Sequence, residues 1–221
     1  MTELVIFDCD GVLVDSEVLS LTAMAAVLVE AGVPATAAMI GRCFGMKQKD
    51  ILAVVARETG VAIPVEANER IWPATRILFD QHLQAMPGVQ RFLERLGDRP
   101  RCVASSSSLE RIRFSLNKTG LARFFGENIF SSQQVARGKP APDLFLFAAE
   151  RMGVAPERAV VIEDSTFGVE GARAAGMRAI GFLGGSHIGP AHDAALARSG
   201  AEAAEADYAG VERRIFRDAL T

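Results

Sequence analysis

The stretch Phe7-Asp8-Cys9-Asp10-Gly11-Val12-Leu13-Val14-Asp15-Ser16 places two carboxylates two residues apart, after an apolar run and before a glycine. Leu4, Val5, Ile6 and Phe7 are apolar without alternation, as expected of a strand covered on both faces of a parallel sheet. Asp8 and Asp10 then fall at its carboxyl end, the edge where open α/β sheets bind ligands. At i, i+2 spacing both side chains point the same way if the extended geometry continues. They repel each other there unless a cation intervenes, and hard oxygen donors suit Mg²⁺. The pair also divides into two jobs: one carboxylate attacks phosphorus to give an aspartyl phosphate, and the other gives and takes a proton. Gly11 permits a tight turn after them. Taken alone, D-x-D is equally a helix cap or a solvated acidic turn, so the rest of the chain decides.

With 221 residues, 49% of them hydrophobic, the chain has ample material for one large domain or two small ones. A formal net charge of −3 offers no basic field for nucleic acid or an anionic membrane, so the expected partner is a small molecule. No apolar run approaches the roughly 18 residues of a membrane span. The N-terminus enters a strand with no basic leader or cleavage site, and the expectation is a cytoplasmic protein. Cys9, Cys43 and Cys102 are scattered and odd in number, which suits reduced thiols and not a disulfide framework or zinc site. Between two carboxylates Cys9 stays protonated, so its use is packing and its backbone N–H.

After Ser16 the pattern is helical for about seventy residues. Helices are expected over 19–31, 36–43, 47–59 and 66–83, the last kinked or broken at Pro73. From Pro87-Gly88 onward strand and helix alternate. Strands are read at 102–105, 128–131, 159–163 and 178–182, and helices at 88–96, 109–119, 143–152 and 168–175. With the first strand these five imply a doubly wound parallel α/β sheet. Residues 17–83 interrupt the first crossover, so they are read as an inserted helical domain, with 1–16 and 84–221 forming the core domain. The Ala-rich tail over 191–209 reads as a final helix and loop.

Three more features fall at strand ends. Val103-Ala104-Ser105-Ser106-Ser107-Ser108 runs from strand into hydroxyls. Ser108 is an ordinary helix cap, while the Ser105 hydroxyl and the N–H after it suit a phosphate oxygen. Gly138-Lys139-Pro140-Ala141-Pro142-Asp143 fixes a lysine on a stiff turn, a compact charge for phosphate or for a carboxylate. Val160-Val161-Ile162-Glu163-Asp164-Ser165 ends a buried strand in a second acidic pair, which needs a cation as the first does. Each has a bland reading as a cap or surface residue. All four would have to be bland together for there to be no site.

In this order, D-x-D-G-V-L-V-D-S, Ser105, G-K-P-x-P-D and E-D-S resemble the haloacid dehalogenase superfamily, from Leu4 to about Phe182. Within it the resemblance is to the small-cap phosphatases and phosphomutases of the β-phosphoglucomutase-like and 6-phosphogluconate phosphatase-like subgroup. It implies a Rossmann-like core, a helical cap and Mg²⁺-dependent phosphoryl transfer. By position, Asp8 would be the nucleophile, Asp10 the general acid/base, and Ser105 and Lys139 phosphate ligands, with the backbone of Cys9, Asp10 and Ser106 beside them. Asp8, the Asp10 carbonyl and Asp164 would hold Mg²⁺, supported by Glu163.

Hydrolysis of a small phosphomonoester, a sugar phosphate or sugar-acid phosphate such as 6-phosphogluconate, is the expected reaction. A phosphomutase is the alternative, weakened by Ser20 and Lys47-Gln48 where such mutases carry histidine and a Ser-Arg pair. A dehalogenase lacks the second Asp, and a non-catalytic phosphate-binding module is expected to have lost Asp10. Gly45, Lys47, Gln48 and Lys49 are the candidate specificity residues of the cap, the lysines for a second anionic group. His187 is read as a solvent-exposed loop residue, with a place at the site's edge as the alternative. Nothing in the pattern sets the oligomeric state.

Overall fold

The structure, a computed structural model, describes residues 2–217. Among them six strands, β1 (Leu4–Phe7), β2 (Arg101–Ser105), β3 (Ile129–Ser131), β4 (Ala159–Glu163), β5 (Arg178–Phe182) and β6 (Ala203–Glu205), form one parallel sheet in the order β3-β2-β1-β4-β5-β6. The strand order runs outward in opposite directions from β1 and β4, so the switch point lies between the carboxyl ends of these two strands, beside Asp8. Ile6 lies opposite Cys102 on one side and Val161 on the other, so the unalternating apolar run of β1 is central and fully buried.

Side chains from β1 leave to opposite faces. Val5 and Phe7 pack with α5 (Val89–Arg95), α6 (Leu109–Lys118) and α10 (Tyr208–Arg217), while Leu4 and Ile6 pack with α7 (Asp143–Met152), α8 (Thr166–Ala174) and α9 (His192–Arg198). Phe7 meets Phe92 and Phe125 edge-on at 6.0 and 5.7 Å. Such pairs add about 0.5–1.5 kcal/mol to the area term.

Between β1 and α5 lie α1 (Glu17–Glu30), α2 (Ala37–Gly41), α3 (Gln48–Thr59) and α4 (Val65–His82). They close around their own apolar cluster, which includes Met24, Leu28, Ile40, Leu52, Val55 and Ile71. The foot of α4 does not belong to that cluster: Phe79 and Leu83 join the core around Phe7.

Of the kink or break expected at Pro73, the break does not occur: the helix over 65–82 is continuous, carrying a buried face of Ala67, Ile71, Thr75 and Phe79. Tertiary burial of that face outweighs the one backbone donor that proline removes. The sheet also has six strands, not five. The tail holds α9, the three-residue β6 at the sheet edge and α10, where a helix and a loop were expected. Ala203-Ala204-Glu205 has no β-branched or aromatic residue to announce a strand.

Candidate active site

All four strand-end features meet at the carboxyl edge of the sheet. Asp8 follows β1, its N–H donating to the Ile162 carbonyl at 3.0 Å, and its side chain is buried. Lys139, in the loop before α7 and joined to Pro140 by a cis bond, places Nζ 2.6 Å from Asp8 Oδ1 and 2.5 Å from Glu163 Oε1. Glu163 Oε2 accepts from the Ser165 N–H and hydroxyl at 2.8 and 2.9 Å. Glu163 is therefore a support for Lys139, and both of its oxygens are occupied. Burial opposes a charged Lys139, but the Asp8 and Glu163 carboxylates outweigh it and raise the ammonium above its usual range.

Asp10 is held differently. Ser16 Oγ and Arg111 Nη2 both donate to Oδ1 at 2.6 Å, and Ser107 Oγ donates to Oδ2 at 2.6 Å. Burial raises a carboxyl, yet the Arg111 charge and these hydrogen bonds win and lower Asp10 below its usual range. Its neighbour Cys9 is the reverse: burial first, then the Asp10 and Asp8 charges, push the thiol well up, in keeping with a packing role.

Asp164 leaves β4 next to Gly11. Gly11 has φ +74°, and a Cβ on it would lie 1.8 Å from Asp164 Oδ2, so the turn demands glycine for both backbone and space. Burial raises both Asp8 and Asp164 well above the usual carboxylate range; Lys139 lowers each, while Glu163 and the other nearby acids raise them. Two buried carboxylates that are costly to ionise side by side form a hard oxygen donor pair that fits Mg²⁺. Among the described residues no group of three or more His, Cys, Asp or Glu side chains is arranged to hold a metal ion by itself.

A cavity of about 490 Å³ opens above this edge, lined from below by Asp8, Asp10 and Ser105 and from the helical insert by Met24, Lys47 and Trp72. Ser105 is buried at the end of β2, its Oγ accepting from the Ser107 N–H at 3.1 Å. The Ser106 hydroxyl does not face Asp8; it donates to the Gly45 carbonyl at 2.7 Å. Lys47, Gln48 and Lys49 all line the cavity; Lys47 Nζ donates to the Ser132 carbonyl at 2.7 Å and Gln48 Nε2 to Asn68 Oδ1 at 2.8 Å. Gly45, with φ +87°, rests against Ser165, where a Cβ would be 2.3 Å from Oγ.

A family model for haloacid dehalogenase-like hydrolases matches residues 5–182, which holds all four strand-end motifs. The chain belongs to that family. This hydrolase is 32% identical over 190 residues to the 6-phosphogluconate phosphatase of Escherichia coli K12, covering 85% of this chain and 86% of the relative. It is 34% identical over 185 residues to a phosphorylated carbohydrates phosphatase of Thermotoga maritima, covering 80% and 83%. Its fold matches a haloacid dehalogenase-like protein of unknown function from Agrobacterium tumefaciens C58 with a TM-score of 0.83 and 39% identity, over 99% of this chain and 100% of that one.

Several neighbours of the hydrolase site escaped sequence reasoning. Arg111 lies one turn into α6, on the face that also buries Ile112 and Ser115, and no motif marks it. For His187 the exposed-loop reading is corrected in favour of the site-edge alternative: its side chain is only 6% exposed, with Nε2 3.0 Å from Asp164 Oδ2 and its ring edge-on to Phe44 of the insert at 5.3 Å. The glycines before it bring the loop back over the sheet edge. His192 Nε2 meets the Asp164 carbonyl.

Proposed function

We propose that this hydrolase is a Mg²⁺-dependent phosphatase of small phosphorylated sugars or sugar acids, with 6-phosphogluconate the first candidate. The observation that carries the reading is the buried Lys139 ammonium spanning Asp8 and Glu163. It holds one Asp8 oxygen and leaves the other for attack, next to a place where a phosphoryl group needs positive charge.

In the first step Asp8 attacks phosphorus, the ester P–O bond breaks, and Asp10 gives the leaving oxygen a proton. In the second, Asp10 takes a proton from water, whose oxygen attacks the aspartyl phosphate; inorganic phosphate leaves and Asp8 is restored. Lys139 and the N–H groups beside Ser105 and Ser106 bind the phosphoryl oxygens. Asp8, Asp164 and the Asp10 carbonyl would hold Mg²⁺, which supplies positive charge against the transferring group. Residues 17–83 act as a cap that excludes bulk water, and its loop 44–49 selects the leaving group.

The relatives' names favour carbohydrate phosphates, and the mixed apolar and cationic lining of the cavity fits a polyhydroxylated, anionic ligand. The test is phosphate release from sugar phosphates, sugar-acid phosphates, nucleotides and an aryl phosphate, with Mg²⁺ or with EDTA. Release from carbohydrate phosphates that EDTA abolishes and Mg²⁺ restores is expected. Preference for nucleotides, or activity indifferent to EDTA, would contradict the reading.

A further inference from the structure

Both carboxylate oxygens of Asp10 are occupied, although the reaction needs that carboxylate at the leaving oxygen. Two of its partners, Ser16 and Ser107, are hydroxyls that can rotate and serve as donors or acceptors. Arg111 is a fixed cation that only donates, so it holds Asp10 as a retracted anion. The same arginine is under-used. Its Nη2 makes both of the bonds found, to Asp10 and to Ser20 Oγ at 2.8 Å, while its buried Nε has no partner. The guanidinium rests 5.1 Å from the centre of the Phe79 ring, which fixes its plane, and it lines the cavity with 17% of the side chain exposed. A buried donor left unmade is costly unless a ligand completes it, and a planar fork is the best reader of carboxylate or phosphate.

We propose that Arg111 is a specificity residue that binds a second anionic group, carboxylate or phosphate, on the leaving part of the substrate, and that this group draws the guanidinium off Asp10. The inference rests on the hydrolase reading above and adds which core residue recognises the far end of the substrate. It gives Ser20, on the first helix of the insert, the job of holding Arg111 at the rim. It also couples recognition to chemistry: an uncharged leaving group leaves Asp10 clamped.

The test reads binding without turnover. Titration calorimetry with the full-length Asp8→Asn protein compares 6-phosphogluconate, glucose 1,6-bisphosphate and glucitol 6-phosphate, and then repeats the set with Arg111→Leu and Arg111→Lys added. Arg111→Leu is expected to weaken at least one of the doubly anionic ligands about tenfold or more beyond its effect on glucitol 6-phosphate. Which of the two loses more identifies the anion as carboxylate or phosphate. Arg111→Lys keeps the charge but loses the fork, and is expected to give the same order with a smaller factor; it carries the test if the Leu variant does not fold. Equal weakening of all three ligands, or none, would overturn the proposal. Failure of the wild type to release phosphate would overturn the hydrolase reading instead, while the binding ratios still decide the role of Arg111.

Discussion

Asp10, which in the proposed mechanism lends and reclaims a proton, is held by two hydroxyls and an arginine, all at 2.6 Å. That arrangement gives Asp10 one orientation and, through the Arg111 charge, favours its carboxylate form. In the proposed mechanism Asp10→Asn keeps the shape and two of the hydrogen-bonding positions but cannot transfer the proton. Its kcat on an alkyl sugar phosphate should fall about 10²–10⁴-fold, and by clearly less for the first-step burst on a nitrophenyl phosphate, whose leaving group needs no proton. Burst and steady-state rates on the two substrates check this. Equal losses in both would mean that Asp10 acts by placement alone. Asp8 and Asp10 were legible from their place after an apolar run, because the chemistry of a strand end is written in consecutive residues. Arg111 was not, since an arginine on an amphipathic helix reads as surface until the tertiary fold turns that face toward Asp10.

At the scale of elements, the tail shows where local pattern ran out. α10 begins at Tyr208, whose buried hydroxyl donates to the Val12 carbonyl at 2.8 Å and whose ring packs between Phe92 and Phe182 at centroid distances of 5.1 and 4.8 Å. The loop that carries Asp10 and Gly11 is thus braced by a helix nearly two hundred residues further along the chain. Tyr208→Phe keeps the ring packing and removes one buried hydrogen bond, so it should cost about 1–2 kcal/mol in urea denaturation and loosen the loop after Asp10. An unchanged midpoint would mean that water replaces the hydroxyl without cost. The central strands were readable because unalternating apolar runs have few alternatives at that length. β6 was not, because a three-residue edge strand owes its existence to its pairing with β5 and not to its own residues.

For the whole molecule, the sheet gathers four strand ends that are up to about 155 residues apart in sequence, and the helical insert covers them. Contacts between the two parts include Lys47 on the Ser132 carbonyl, Ser106 on the Gly45 carbonyl, Arg111 on Ser20, Trp72 on Phe114, Phe44 on His187, and the foot of α4 in the core. Lys47 and Lys49 were read together from the sequence as receivers of a second anion, because spacing alone does not separate a latch from a ligand. With Lys47 bonded across to Ser132, the two should now separate. Lys47→Ala should raise KM for singly and doubly charged substrates alike, by several-fold, while Lys49→Ala should act mainly on doubly charged ones; the reverse pattern in steady-state kinetics would assign the latch to Lys49. The account stands or falls on Asp8 as nucleophile. Its most direct test is rapid acid quench of the Mg²⁺-loaded protein during turnover of its best sugar phosphate, followed by intact mass and peptide mapping. A single phosphoryl group on the peptide holding Asp8, absent from Asp8→Asn, is predicted. Full turnover with no phosphoryl group on the protein at any time, or with one on another residue, would contradict it.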